Sequence, residues 1–213
     1  AASWLSSSDV IAFFLQELGS SVCLRPRAFQ VIAEHLPAYL NVSSTEALRQ
    51  IEQESLLPAN TIRSVRWIKP VSRRSASQQT AFAIATFASP EEANDVIREG
   101  FVIKGRTVRT RKLPKEPRRC LKCQRWNVNH SAANCKADKE TCAKCSENHR
   151  SGDCTITDPA LFRCPNCKNS GHEAWSHSCP KYQEELRKVN DQNPDNNYKY
   201  FPTADPSTWV LID

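Results

Sequence analysis

Apolar residues between Ser7 and Leu18 recur at helical spacing. Val10, Phe14 and Leu18 share one face, with Ile11 and Leu15 beside them. That period predicts an amphipathic helix ended by Gly19, used for packing or for binding a partner. From Ala28 the period changes. Ala28–Glu34 (AFQVIAE) predicts a short buried strand. Ser43 and Glu46 have capping-box spacing and open a predicted helix that turns Leu48, Ile51 and Ser55 inward, broken at Pro58–Asn60. Ile62–Lys69 (IRSVRWIK) and Thr80–Phe87 (TAFAIATF) read as strands on either side of a polar, basic loop, Pro70–Ser77. Ser89 predicts the next N-cap, with Pro90 at the first helical position, Glu92 as box partner and Gly100 past the end. Arg106–Leu113 (RTVRTRKL) closes the pattern as a last strand.

The element order βαββαβ predicts an α+β, ferredoxin-like domain over residues 25–114, behind the helical segment 1–24. It resembles an RNA recognition motif, whose central strands stack bases on aromatic side chains. Here Phe82 takes one exposed stacking position, Ile84 the other, and Ile32 stands where a third aromatic belongs. The sheet therefore reads mainly as a scaffold. Arg63, Arg66, Arg73 and Arg74 are its candidate phosphate contacts, and a domain making only protein contacts is the alternative.

Past residue 114 cysteine spacing takes over from apolar periodicity. Nine of the ten cysteines form three sets with three histidines. These are Cys120-x2-Cys123-x6-His130-x4-Cys135, Cys142-x2-Cys145-x3-His149-x4-Cys154 and Cys164-x2-Cys167-x4-His172-x6-Cys179. Four soft or borderline donors suit tetrahedral zinc, and units this short take most of their folding free energy from the metal. Residues 115–181 are thus expected to hold three zinc ions in knuckles at 120–135, 142–154 and 164–179, followed by a polar tail, 182–213. A disulfide framework leaves the recurring histidine without a role. A cross-braced two-zinc domain needs interleaved ligand pairs and no third closed set. His177 competes with Cys179 for the last position. Cys179 is preferred because it leaves no odd thiol beside the metal.

Catalytic zinc needs an open coordination position, and each set is closed by four protein ligands. No zinc-deaminase signature, nucleophile elbow, P-loop or dinucleotide fingerprint occurs, and with only 5 glycines there is little material for a phosphate-cradling loop. The chain is expected to be no enzyme and to take no small-molecule substrate. No run approaches the ~20 apolar residues that span a membrane. No signal peptide is recognisable, and the absence of methionine suggests a piece of a longer polypeptide or a processed product.

Charge adds a partner class. The net charge is +6, but it is uneven. Residues 61–88 carry Arg63, Arg66, Lys69, Arg73 and Arg74 with no acid, and 104–119 is basic except for Glu116, whereas both ends are acidic. A basic middle fits a polyanion. Within the knuckles Lys122, Arg125, Lys144, Arg150, Arg163 and Lys168 surround Trp126 and Trp175, and Arg118 and Arg119 join them to the preceding strand. Bases stack on aromatics while phosphates attract these cations. For Trp126 stacking is the expectation. Trp175 has two open alternatives, stacking or packing within its own small fold.

Three segments carry a family resemblance: ASPEEANDVIREGFVIKG, CLKCQRW and HEAWSHSCP. With the graded knuckle spacing, the run from Thr80 to Pro180 resembles the gag-like nucleic-acid-binding region of non-LTR (LINE-type) retrotransposons, most closely those of fungi. The first knuckle departs from that family's usual four-residue spacing and lacks its glycine before the histidine. The resemblance implies a protein that coats and packages single-stranded RNA, with single-stranded DNA as a second ligand. It also implies nucleic-acid chaperone activity, self-association in a cytoplasmic ribonucleoprotein, and entry into the nucleus. A host zinc-knuckle RNA-binding protein and a zinc-dependent protein-interaction adaptor are the alternatives.

Overall fold

A computed structural model describes residues 8–18 and 27–212, and the chain divides into two compact units at Lys112/Leu113. The first helix, α1, spans Ser8–Leu18. Ser7, Gly19 and Cys23 lie outside the described residues, as do the side chains of Phe14 and Leu18.

The first unit is a mixed α+β structure. Its elements are β1 (Phe29–Pro37), α2 (Thr45–Glu54), β2 (Ile62–Trp67), β3 (Thr80–Phe87), α3 (Pro90–Glu99), β4 (Phe101–Ile103), β5 (Arg106–Val108) and β6 (Thr110–Lys112). Four strands form an antiparallel sheet in the order β2-β3-β1-β6. Alternation sorts each strand into two faces. Val31, Ala33, Leu36, Ala81, Ala83, Ala85 and Phe87 are buried with Leu48 and Ile51 of α2 and Ala93, Val96 and Ile97 of α3. The three alanines of β3 leave room for a close approach of helix to sheet.

Buried Glu52 joins α2 to the start of β2. Its carboxylate accepts from Arg49 at 2.6 and 2.8 Å, from the Asn60 amide at 3.0 Å and from the Ile62 amide at 2.6 Å. A buried charge so fully partnered is tolerated and fixes where the strand begins.

Several local expectations need correcting. Ser44, not Ser43, caps α2; its hydroxyl accepts from the Ala47 amide at 3.3 Å and donates to Glu46. Glu46 sits two residues after this cap, too early to close a box. Ser89 caps α3 as expected but pairs with Glu91 rather than Glu92. Ser55 ends α2 and takes the Val102 amide at 2.9 Å, while Glu52 is the third buried residue of that helix. β1 runs on to Pro37 through an irregularity after Ala33, with His35 at φ 57°.

The expected last strand is two strands. Lys104 (φ 49°) and Gly105 (φ 72°) form a two-residue turn of the kind that closes tight hairpins. The turn pairs β4 with β5, and the chain then crosses to pair β6 with β1. Gly100 is required where α3 enters this hairpin: its φ is 82°, and a Cβ there would lie 2.6 Å from the Val108 carbonyl oxygen.

Candidate metal centres and their surroundings

Each centre begins with the same backbone loop. The amide of the first cysteine donates to the carbonyl five residues on: Cys120 to Arg125, Cys142 to Glu147 and Cys164 to Asn169, at 2.8–3.0 Å. Four residues on, the amides of Gln124, Ser146 and Lys168 donate back to the cysteine carbonyls. Those three residues have φ of 61°, 71° and 67°. The left-handed residue reverses the chain just after the Cys-x2-Cys pair, so both sulfurs face the same point. It is not glycine in any repeat, a cost of about 1–2 kcal/mol each for an L-residue.

The histidine and last cysteine complete three groups: Cys120, Cys123, His130 and Cys135; Cys142, Cys145, His149 and Cys154; and Cys164, Cys167, His172 and Cys179. Within each group the ligand atoms lie within 4.8 Å of one another. Zinc bonds of about 2.3 Å to sulfur and about 2.0 Å to nitrogen give tetrahedral edges of about 3.8 Å between sulfurs and about 3.5 Å from sulfur to nitrogen. Cys164 and Cys179 are 3.7 Å apart and Cys145 and Cys154 are 3.9 Å apart. Nε2 is 3.6 Å from the second cysteine sulfur in His130 and in His149, and 3.2 Å in His172. The three clusters are therefore positioned to hold metal ions, consistent with three zinc ions. All nine cysteines of the clusters are free thiols, which disposes of a disulfide framework among them.

Backbone amides prepare the first ligand of two centres. At Cys120 burial opposes the charged form, but the amides of Cys123 and Lys122 and the thiols of Cys123 and Cys135 outweigh it and lower the thiol to about 6. Cys142 is lowered to about 7 against burial by the amides of Cys145 and Lys144 and the thiols of Cys145 and Cys154. The thiolate is the form that binds metal.

The centres are not beads on a string. The Thr141 amide donates to Lys122 O at 2.8 Å, joining the second loop to the first. Arg163 donates to Lys144 O at 2.7 Å and Ala174 to Ala143 O at 2.8 Å, joining the third to the second. Asn166 Nδ2 reaches Gln124 O at 2.9 Å, joining the third to the first. The segment expected to be a polar tail folds with them. It forms α4 (Pro180–Gln192), whose N-cap is the ligand Cys179. Tyr182 of α4 is buried with Cys164 and Cys179, and Trp126, Cys167 and Leu186 pack on them. Glu185 accepts from Asn127 at 2.9 Å, so α4 also grips the first loop.

This packing takes up part of the Trp126 ring. It is half-buried, edge-on to Tyr182 at 5.1 Å, with its Nε1 buried. Trp175 instead is 42% exposed. The Arg119 guanidinium lies 5.6 Å from the Trp126 ring and 5.8 Å from the Trp175 ring, and burial lowers it from its ordinary value. Arg118, Arg125, Arg150, Arg163 and Lys168 are exposed, while Arg119, Lys122 and Lys144 are half-buried. In the first unit Arg63 and Arg66 are exposed. Phe82 is 38% exposed, its ring 4.9 Å from His35. Ile32 and Ile84 are both 5% exposed, so neither offers a stacking surface.

Comparison of the chain with models of known families, with curated proteins and with solved structures finds no match. No helix among the described residues is long and apolar enough to cross a membrane.

Proposed function

We propose that this chain binds and packages single-stranded nucleic acid, RNA foremost, as the gag-like protein of a non-LTR retrotransposon, and that it performs no catalysis. The observation that carries the reading is Trp175, an indole 42% exposed on a scaffold of metal clusters, with Arg118, Arg125, Arg163 and Lys168 exposed in the same unit. An exposed aromatic with surrounding cations is the minimal equipment for holding an unpaired strand. We read the first unit as a ferredoxin-like, RNA-recognition-motif-like sheet. Supporting this are the strand order β2-β3-β1-β6 and Phe82 on the face opposite the one that packs on α2 and α3. On this reading the protein self-associates on RNA in a cytoplasmic ribonucleoprotein that also enters the nucleus.

The test is fluorescence anisotropy of the zinc-loaded chain with single- and double-stranded oligonucleotides across a salt series. Single strands should bind more tightly, with a log–log salt slope of roughly −0.7 per phosphate neutralised. Trp175→Ala should cost about 1–3 kcal/mol. Binding that ignores salt, or none at all, would leave the protein-interaction adaptor as the better account.

A further inference from the structure

We propose that the crease where the three metal centres meet takes one unstacked nucleobase and prefers bases with an exocyclic amine (cytosine, adenine, guanine) to uracil. The inference rests on the reading of the chain as a single-strand binder and adds a sequence preference to it.

The crease is a cavity of about 370 Å³, at the small end of the roughly 300–1,000 Å³ range of ligand pockets. That is room for one nucleotide rather than a stretch of strand. Its walls come from all three repeats: Arg119 and Leu121 from the first, Glu140, Arg150 and Asp153 from the second, and Trp175 from the third. The walls are tied together by backbone. Thr141 N to Lys122 O and Ala174 N to Ala143 O, both 2.8 Å, join the second repeat to the first and the third to the second. Gln124, 2% exposed, accepts from Arg119 and donates to Leu121 O at 2.8 Å, fixing the first repeat's side. A pocket held this way meets its ligand already shaped, which lowers the entropic cost of binding.

The chemistry of the walls selects what enters. The Trp175 ring and the exposed Leu121 side chain offer apolar surface to a flat ring. Glu140 and Asp153 place two carboxylates on the same cavity as Arg119 and Arg150, so its charges balance and a phosphate gains less here than at exposed arginines with no acid beside them. The base edge is therefore the part that goes in. Arg150 lies 3.3 Å from Glu140, so acceptor and donor stand side by side. Carboxylates accept from base amines. An exocyclic amine carries two N–H groups, one for each of the two carboxylates on the cavity. Uracil has no exocyclic amine and offers that edge a single ring N–H, which leaves one carboxylate without a donor from the base.

The experiment compares short labelled homopolymers of U, C and A on the zinc-loaded full chain at one salt concentration. C and A should bind roughly tenfold more tightly than U, within the range of one good base contact. Glu140→Gln should shrink that ratio, and Glu140→Gln with Asp153→Asn should bring it below about twofold, with zinc content unchanged from the parent. Neither residue belongs to the metal clusters, so zinc content reports whether the variants fold. Equal affinity for the three homopolymers overturns the pocket while leaving single-strand binding in place. A preference that survives in the double variant also overturns it. Absence of salt-dependent binding to any of them overturns the underlying reading instead.

Discussion

His177 and Cys179 show how one ring and one sulfur divide roles two residues apart. The His177 ring lies stacked on Tyr182, with centroids 4.7 Å apart and planes 6° from parallel. Cys179 is fully buried, its sulfur 3.7 Å from that of Cys164. His177→Ala should therefore keep three zinc ions per chain by native mass spectrometry. Cys179→Ala should lose one or hold it weakly in a zinc-competition titration; the reverse result would make the third centre a two-cysteine, two-histidine site. Trp126 gives a second residue-scale test. Its Nε1 is buried with no hydrogen-bond partner among the described residues, so Trp126→Phe removes an unsatisfied donor while keeping an aromatic ring. That variant should stay close to the parent in denaturant midpoint, whereas Trp126→Ala should cost up to about 3–5 kcal/mol. A Trp126→Ala protein that is equally stable but binds RNA poorly would return the ring to a stacking role. The twelve ligands were legible in the sequence because metal coordination needs only residue type and local spacing. The packing of Trp126 on Tyr182 was not, because Tyr182 lies 56 residues on and nothing local announces the contact.

Among the elements, α4 changes the picture most. Its apolar side, Tyr182, Leu186 and Val189, has helical spacing, and that signal was present in a segment whose charge and polarity suggested a tail. The helix starts on a metal ligand. Cys179 is its N-cap and Pro180 its first residue, so the positive end of the helix dipole begins at a ligand residue. Metal binding and helix formation should support each other at this point. Tyr182→Ala removes a side chain 3% exposed that touches Trp126 from the first repeat and packs with Cys164 and Cys179 of the third. Zinc affinity should fall at the first and third centres together, with the second affected less. Stepwise chelator titration followed by native mass spectrometry separates the three. Loss confined to one centre would mean that α4 does not couple them. The β4–β5 hairpin was missed for a different reason. Its strands have three residues each, and the Lys104–Gly105 turn is the only local mark they leave.

Across the whole molecule the two units draw their stability from different sources. The first buries Val31, Leu36, Ile62, Val96 and Phe87 almost completely, a core that needs no metal. In the second, the side chains sealed most completely include the thiols of Cys120, Cys142, Cys164 and Cys179. Without an ion at their centre, those sulfurs are poor packing for 100 residues of chain. Chelation should therefore unfold the second unit through α4, not only the stretch between the first and last ligand, and should leave the sheet folded. Hydrogen exchange read by mass spectrometry is the direct measurement. Amides of the repeated loops, such as Cys120, Cys142 and Cys164, should lose protection on adding a strong chelator, along with those of α4. Amides of β1 and β3 should keep theirs, and restoring zinc should restore the rest. If α4 stayed protected without metal, its packing on Trp126 and the third centre would be a consequence of an independently stable helix. If β1 and β3 opened as well, the sheet would depend on the metal-bearing unit for its stability, and the two could not be treated as separate folding units.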